Sequence, residues 1–467
     1  MSFLPPVYSG TILFVVLTTT WWYLRQLSIR LTGPHPHTGA AKPDLSPEAL
    51  DKVSYGNINM LNGIPRQKTG KGYAVVGGGG FLGEFIVRLL LLRGETYIRI
   101  LDIQLPRATD LIENPSVTFV KTDITEISSI HAALTQPFPN TNKKVEVIYH
   151  TAAAIRFWDR LGYTWPATYR VNVLGTRNVV EVAKQLQSEA GTKANISLIY
   201  TSSIDAAQAS VKFSRLSWGP KVLLRDPSDL ITPETSDRCY QRSKLEAEAI
   251  VKSADCAAGK GTIRAGIVRP GCALMGPNDF VTTRVLNTPV LPTFDDNWSA
   301  TNVCVWDVAA GHLLLEEALQ KKHAEVGGKY FLVTGDELPW SCENVRKVLI
   351  YFSKRPIKTA PVSILAIFIF AHLIEAFLFL RYHFLLPIYF VLFGGKKKPS
   401  LSPKWLGSAV YLQPAMLKYL QDVIVDDSRA RKVLGYKPQW ETLQYLKWAV
   451  DETLKRSDAS TQDRSWL

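Results

Sequence analysis

Tyr73-Ala74-Val75-Val76-Gly77-Gly78-Gly79-Gly80-Phe81-Leu82-Gly83 is the stretch on which the fold turns. A short apolar run enters four successive glycines, and Phe85, Ile86, Leu89 and Leu90 then recur at helical spacing, so the reading is strand, tight turn, helix. Only glycine lets the main chain turn and approach a diphosphate this closely, and the backbone N–H groups of a helix N-terminus bind the phosphates. Two glycine registers fit, Gly78-x-Gly80-x-x-Gly83 and Gly77-x-x-Gly80-x-x-Gly83. Gly77, Gly80, Phe81, Leu82 and Gly83 are the candidate contacts. A second strand, Tyr97–Leu101, ends on Asp102, nineteen residues past Gly83. An acid there accepts hydrogen bonds from ribose hydroxyls and repels a 2′-phosphate, so NAD is expected rather than NADP.

The chain has 467 residues, room for two or three domains, and its 46% hydrophobic content suffices for a large core. A net charge of +13 could suggest nucleic acid, but the basic residues are scattered. Their one obvious cluster, Lys396-Lys397-Lys398, follows an apolar segment and fits an anionic membrane surface. Cys239, Cys256, Cys272, Cys304 and Cys342 are odd in number and widely spaced, which points to buried free thiols in a reducing compartment and to no metal site.

From Ser2 to Leu24 there is no charged side chain, and the run closes on Trp21-Trp22-Tyr23, Arg25 and Arg30. Its length matches a bilayer's apolar core, and its basic flank predicts an uncleaved anchor with everything beyond it in the cytosol. Residues 32–70, rich in proline, glycine and polar side chains, read as a linker. Strand-like runs at Val117–Lys121, Val145–His150, Ile196–Ser202 and Gly266–Arg269 then alternate with helical patterns at Val171–Gln187 and Lys244–Ser253. Such alternation predicts a doubly wound parallel α/β sheet. Pro361–Phe393 is strongly apolar but interrupted by Glu375, Arg381 and His383, and predicts a hairpin or a helix lying in the membrane interface. The amphipathic tail Asp426–Lys455 is expected to pack back on the body. The division expected is an anchor (1–31), a linker (32–70), an NAD-binding core (71–258), an interleaved substrate region (259–353), a membrane-associated segment (354–400) and a C-terminal helical region (401–467).

Tyr240-Gln241-Arg242-Ser243-Lys244 sets Tyr240 and Lys244 four apart, on one face of a helix. A tyrosine is a poor base at neutral pH unless nearby positive charge favours its phenolate. Tyr240 is then the candidate base that takes a substrate hydroxyl proton, and Lys244 also holds the nicotinamide ribose. The strand Leu198-Ile199-Tyr200-Thr201-Ser202-Ser203 ends in hydroxyls at the ligand edge of the sheet. Ser203 is chosen as the group that bonds the reacting oxygen, with Ser202 close behind.

Together with Asp123 in Lys121-Thr122-Asp123-Ile124, His150-Thr151-Ala152-Ala153 and Asn172-Val173-Leu174-Gly175-Thr176, these motifs resemble the extended short-chain dehydrogenases. Within them the chain most resembles the 3β-hydroxysteroid dehydrogenase family, including relatives that act on sterol 4-carboxylates. The resemblance covers roughly residues 72–455 and includes Arg269-Pro270-Gly271, Gly276-Pro277 and Asn302–Ala309. It implies a Rossmann-type fold, adenine contact by Asp123, a cofactor cleft lined by Ala152 and Ala153, and support of the central helix near the cofactor by Asn172. It also implies NAD-dependent oxidation of a 3β-hydroxyl on a sterol, steroid or polycyclic terpenoid. A 3-keto acid formed from a 4-carboxylate would lose carbon dioxide. The expected setting is the endoplasmic reticulum membrane with a cytosolic body; a homodimer is left open and no nucleic-acid partner is expected. A reductase or epimerase on the same fold, and a non-catalytic NAD- or lipid-binding scaffold, are the rival readings.

Overall fold

The computed structural model describes residues 6–33, 39–191, 195–208, 222–224, 231–259, 261–335 and 338–462. Seven parallel strands form the central sheet: β1 (Tyr73–Val76), β2 (Ile98–Asp102), β3 (Val117–Lys121), β4 (Val147–His150), β5 (Ser197–Thr201), β6 (Arg264–Pro270) and β7 (Tyr330–Val333). Their order, β7-β6-β5-β4-β1-β2-β3, reverses direction between β1 and β4. That switch point opens a crevice beyond the carboxyl ends of the strands, where ligands of such sheets bind. Both faces are covered, which is why the strands are continuously apolar instead of alternating. Helices α2 (Phe81–Leu92) and α5 (Val305–Lys321) bury one face, while α3 (Gly175–Ala190) and α4 (Cys239–Ala254) bury the other. A four-stranded sheet joins Trp340–Ser341, Ser299–Ala300, Val423–Val425 and Val222–Leu224, so residues far apart in sequence assemble beside the crevice.

The stretch expected as a linker is instead partly folded onto the body over 39–70. Ser46 caps a turn of helix at Pro47–Asp51, and Leu50, Met60 and Ile64 are buried in the main core beside Trp440 and Tyr445. The C-terminal helix α8 (Thr442–Gln462) packs on α6 (Cys342–Ser353), as its amphipathic pattern predicts. All five cysteines are free; Cys256 is exposed, against the expectation of burial, while Cys239 and Cys304 are buried.

Two apolar helices lie outside this core. Helix α1 (Pro6–Thr32) exposes Ile12–Leu17, Trp21 and Trp22, and only its last turns dock, through Leu27 and Leu31. Helix α7 (Ile364–Phe393) is a single 30-residue element, capped by Ser363 and carrying Pro387 inside; it is no hairpin. Among the described residues it is the one helix long and apolar enough to cross a membrane by the criteria of length and hydropathy.

Candidate active site

The glycine turn is built by close approach. Gly77 has φ +83°, a left-handed conformation that favours glycine. A Cβ at Gly83 would lie 2.2 Å from the Gly77 carbonyl oxygen, so no larger residue lets α2 start this close to the end of β1. Gly80 stands at the helix N-cap with no side-chain cap, which leaves the first backbone N–H groups, including those of Phe81 and Leu82, facing the crevice. Asp102 closes β2, and its carboxylate accepts hydrogen bonds from Gly79 N–H (3.1 Å) and Gln104 N–H (3.4 Å). An uncapped helix start in a cradle that a Cβ would fill, with an acid at its edge, fits a dinucleotide.

Across the switch point, β4 ends on His150, and the N–H of Ala152 donates to Val76 O, so the Ala152-Ala153 segment runs beside the glycine turn. Asn172 lies in a π-helical turn, Arg170–Leu174, leading into α3. Its side chain accepts from Ala154 N–H (2.7 Å) and donates to Ala154 O and to Ser243 Oγ, whose own proton goes to Tyr240 O. The crevice wall and the start of α4 are thereby joined by one amide. Asp123, after β3, accepts from Thr125 N–H (2.8 Å), and this backbone bond holds its carboxyl below the usual range. That bond fixes the turn after β3, next to the strand end that carries Asp102.

The structure brings Ser203, Tyr240 and Lys244 together. Lys244 is almost fully buried and donates to Thr201 O at 2.9 Å, with its ammonium 5.7 Å from the Tyr240 ring centre. Burial lowers its pKa to about 7, a fall that the Glu248 carboxylate partly offsets. Tyr240 moves the other way: burial raises its pKa, the Asp205 charge adds to that, and a side-chain hydrogen bond with Ser203 opposes it. The phenolate is therefore disfavoured until positive charge enters the crevice. Ser203 also caps the turn Ile204–Ala206 by accepting from Asp205 N–H. Ser202 Oγ is buried with no hydrogen-bond partner among the described residues, whereas Ser203 is half-buried.

Sequence reasoning missed the support behind this group. Asp205 is buried against Arg238 (2.8 Å) and accepts from Tyr419 OH (3.0 Å), while the Arg238 guanidinium lies 4.4 Å over the Tyr419 ring. Gln241 donates to Asp205 O and Gln208 O, fixing the turn after Ser203 to α4. Phe157, Trp158, Phe280 and Tyr411 continue outward from Tyr419 as touching rings. No local pattern marks these residues, because they are gathered from five separate segments. Part of the long stretch between Ser203 and Tyr240 lies outside the described residues.

A model of the 3-beta hydroxysteroid dehydrogenase/isomerase family matches residues 74–352. The chain is 28% identical over 279 residues to the 3 beta-hydroxysteroid dehydrogenase/Delta 5-->4-isomerase of Vaccinia virus (strain Western Reserve), covering 56% of this chain and 70% of that protein. It is 37% identical over 147 residues to the Homo sapiens 3 beta-hydroxysteroid dehydrogenase type 7, covering 30% of this chain and 34% of that enzyme. To the Homo sapiens sterol-4-alpha-carboxylate 3-dehydrogenase, decarboxylating, it is 28% identical over 277 residues, covering 58% and 64%. Among solved structures, UDP-glucose 4-epimerase of Thermus thermophilus in complex with NAD superimposes with a TM-score of 0.54 at 16% identity, over 82% of this chain and 98% of that one. The dTDP-glucose 4,6-dehydratase of Bacillus anthracis str. Ames in complex with NAD gives 0.56 at 16%, over 83% and 98%. At such identity the likeness is one of fold.

Proposed function

The chain belongs to the 3-beta hydroxysteroid dehydrogenase/isomerase family, and from that premise we propose that it oxidises the 3β-hydroxyl of a sterol, steroid or related polycyclic terpenoid at a membrane surface. It is an NAD-dependent oxidoreductase. The observation that carries the reading is the group formed by half-buried Ser203 with buried Tyr240 and Lys244, beside the glycine crevice.

Bound NAD supplies the hydride acceptor. Tyr240 Oη takes the hydroxyl proton while the carbinol C–H bond breaks, and Ser203 Oγ–H bonds the oxygen that becomes the ketone. Lys244, anchored on Thr201 O, provides local positive charge and would hold the nicotinamide ribose hydroxyls. Gly77, Gly80, Phe81, Leu82 and Gly83 would hold the diphosphate and Asp102 the adenosine ribose, with Asp123, Ala152 and Ala153 bordering the same cleft. Asn172 aligns the crevice wall with α4. If the substrate carries a 4-carboxylate, the 3-keto acid releases carbon dioxide, because the adjacent ketone accepts the electrons of the breaking bond. The apolar helices α1 and α7 support membrane residence, and Arg25, Arg30 and Lys396–Lys398 support a cytosolic body at the endoplasmic reticulum.

The test is NAD-dependent turnover by membranes carrying the full chain, with 3β-hydroxysterols bearing or lacking a 4-carboxylate and Tyr240→Phe as control. Ketone formation abolished in the control is the expected result, and carbon dioxide release selects the decarboxylating reaction. Tight NAD binding without turnover of any sterol would replace this reading with the scaffold.

A further inference from the structure

Helix α7 has two unlike faces. Ala371, Glu375, Leu378 and Tyr382 recur at helical spacing and are buried on the body. Phe370, Leu373, Phe377, Leu380, Phe384 and Val391 form the opposite stripe and are exposed, Leu380 at 66% and Phe384 at 72%. The buried stripe is pinned by polar contacts: Arg160 grips Glu375 with two hydrogen bonds of 2.7 and 2.6 Å, and Tyr163 packs on Phe379, Tyr382 and His383. A helix held in this way along its middle cannot be surrounded by lipid there. It can only be sunk on one side, like an interfacial helix.

The segments that pin α7 are also those that wall the outer part of the active site. On one side runs the loop 156–163, whose Phe157 and Trp158 precede Arg160 and Tyr163, and whose Asp159 O accepts from the N–H of Cys239, next to Tyr240. On the other side runs 400–420: Arg381 donates to Ser400 O, Arg156 to Ser402, Trp405 packs on Phe377, and Leu417 and Leu420 share an apolar cluster with Ile364 and Ala371. The two sides meet ring to ring, Trp158 on Tyr411 at 4.5 Å and Phe157 on Tyr419 at 6.3 Å, with Phe280 touching both Phe157 and Tyr411. Tyr419 then reaches Asp205, beside Ser203 and Tyr240.

We propose that these rings are a gate facing one bilayer leaflet, through which an apolar substrate passes from the lipid to Tyr240 without crossing water. This rests on the reading of the substrate as sterol-like. The bilayer is the occupant of the outer stripe of α7 because the exposed Lys396, Lys397 and Lys398 follow it directly and complement anionic headgroups, while the exposed Trp405 sits beside Phe377 as interfacial aromatics do.

The experiment uses the full chain and a 3β-hydroxysterol supplied in two ways, within phosphatidylcholine–phosphatidylserine vesicles or on cyclodextrin. For Leu380→Asp/Phe384→Asp, kcat/KM with vesicle-borne sterol is expected to fall about tenfold or more, the factor equal to 1.4 kcal/mol, with cyclodextrin delivery unchanged. Tyr411→Asp, at the gate itself, is expected to raise KM with both carriers and leave NAD binding intact. Equal loss with both carriers in the α7 variant, or no loss with either, overturns the route. A readout without turnover is quenching of Trp405 by brominated acyl chains, taken as the difference from Trp405→Phe; absent quenching rejects the bilayer seat. A wild-type chain inert with both carriers rejects the sterol substrate instead, and the quenching still decides where the gate faces.

Discussion

Lys244 is almost wholly removed from water and has a neutral carbonyl, Thr201 O, as its hydrogen-bond partner, so its charge is held at a cost. Burial takes its pKa from 10.5 to about 7. Between those values the unfolded chain binds a proton that the folded chain does not, so this residue makes stability rise with pH; below pH 7 the penalty is complete. Each unit is worth about 1.4 kcal/mol. Lys244→Met is therefore expected to flatten the rise in Tm relative to wild type across this window, measured by thermal unfolding at a series of pH values, and to abolish turnover. An unchanged slope would mean that Lys244 is hydrated in the folded state. Asp102 makes a separate prediction, because its carboxylate already bonds Gly79 N–H at the rim of the crevice. Asp102→Ala is expected to lower the preference for NAD over NADP about tenfold or more, since hydrogen bonds to charged groups contribute about 1.5–3 kcal/mol. A cofactor-competition assay measures this, and retained preference would remove Asp102 from the ribose site. Both residues were legible in the sequence because their signals are local: a glycine turn with an acid at the next strand end, and a four-residue helical spacing. Asp205, Arg238 and Tyr419 were not, since the bond between Tyr419 and Asp205 joins positions 214 residues apart and leaves no periodic trace.

Strands β1 to β6 were legible as apolar runs, and α7 as a long hydrophobic one whose polar interruptions left a hairpin open beside an interfacial helix; the chain forms one continuous helix. Glu375 looks like a break in a membrane segment when read along the chain; in three dimensions it points at Arg160, contributed by a loop 215 residues earlier. Helical spacing with Ala371, Leu378 and Tyr382 carried that information, but the partner surface did not exist at the level of sequence. The bidentate pair makes the docking of α7 testable. Arg160→Ala leaves the Glu375 carboxylate mostly buried without its cation; because Arg160 itself is partly exposed, the cost is expected to be about 1–3 kcal/mol, below that of a fully buried pair. Urea unfolding of the purified chain in detergent measures the loss. The exchange Arg160→Glu/Glu375→Arg is expected to recover at least part of it, and equal loss in both variants would deny the pair any role in holding the helix.

At the scale of the molecule, a sheet with both faces covered leaves no surface for a membrane, so in the proposed setting lipid contact would fall to parts outside it. Those parts differ in how they meet the body. Helix α7 is fixed along one side, whereas α1 docks through its C-terminal turns, where Tyr23, Leu27 and Leu31 join a cluster with Trp298, Ile364 and Ala371, and Trp298 Nε1 donates to Leu31 O. The 27 residues of α1 span about 40 Å at 1.5 Å per residue, enough to cross the hydrocarbon core, while its docked end sets where the body stands above it. If α1 spans the bilayer and α7 lies on it, as the proposed setting requires, the two attachments give two separable losses. Deleting residues 1–24 keeps the docked turns, so the fold, NAD binding and turnover with cyclodextrin-borne sterol are expected to persist. Attachment then rests on the outer stripe of α7 and on Lys396–Lys398, which makes it peripheral and dependent on anionic lipid and low salt. The full chain is expected to resist extraction by alkaline carbonate; the truncated chain is expected to be released by it, yet still to float with vesicles containing phosphatidylserine. Carbonate resistance in the truncated chain would show that α7 crosses the bilayer, which its grip on Arg160 and Tyr163 argues against, because a spanning helix would have to give up those contacts or draw the catalytic loop into the lipid with it.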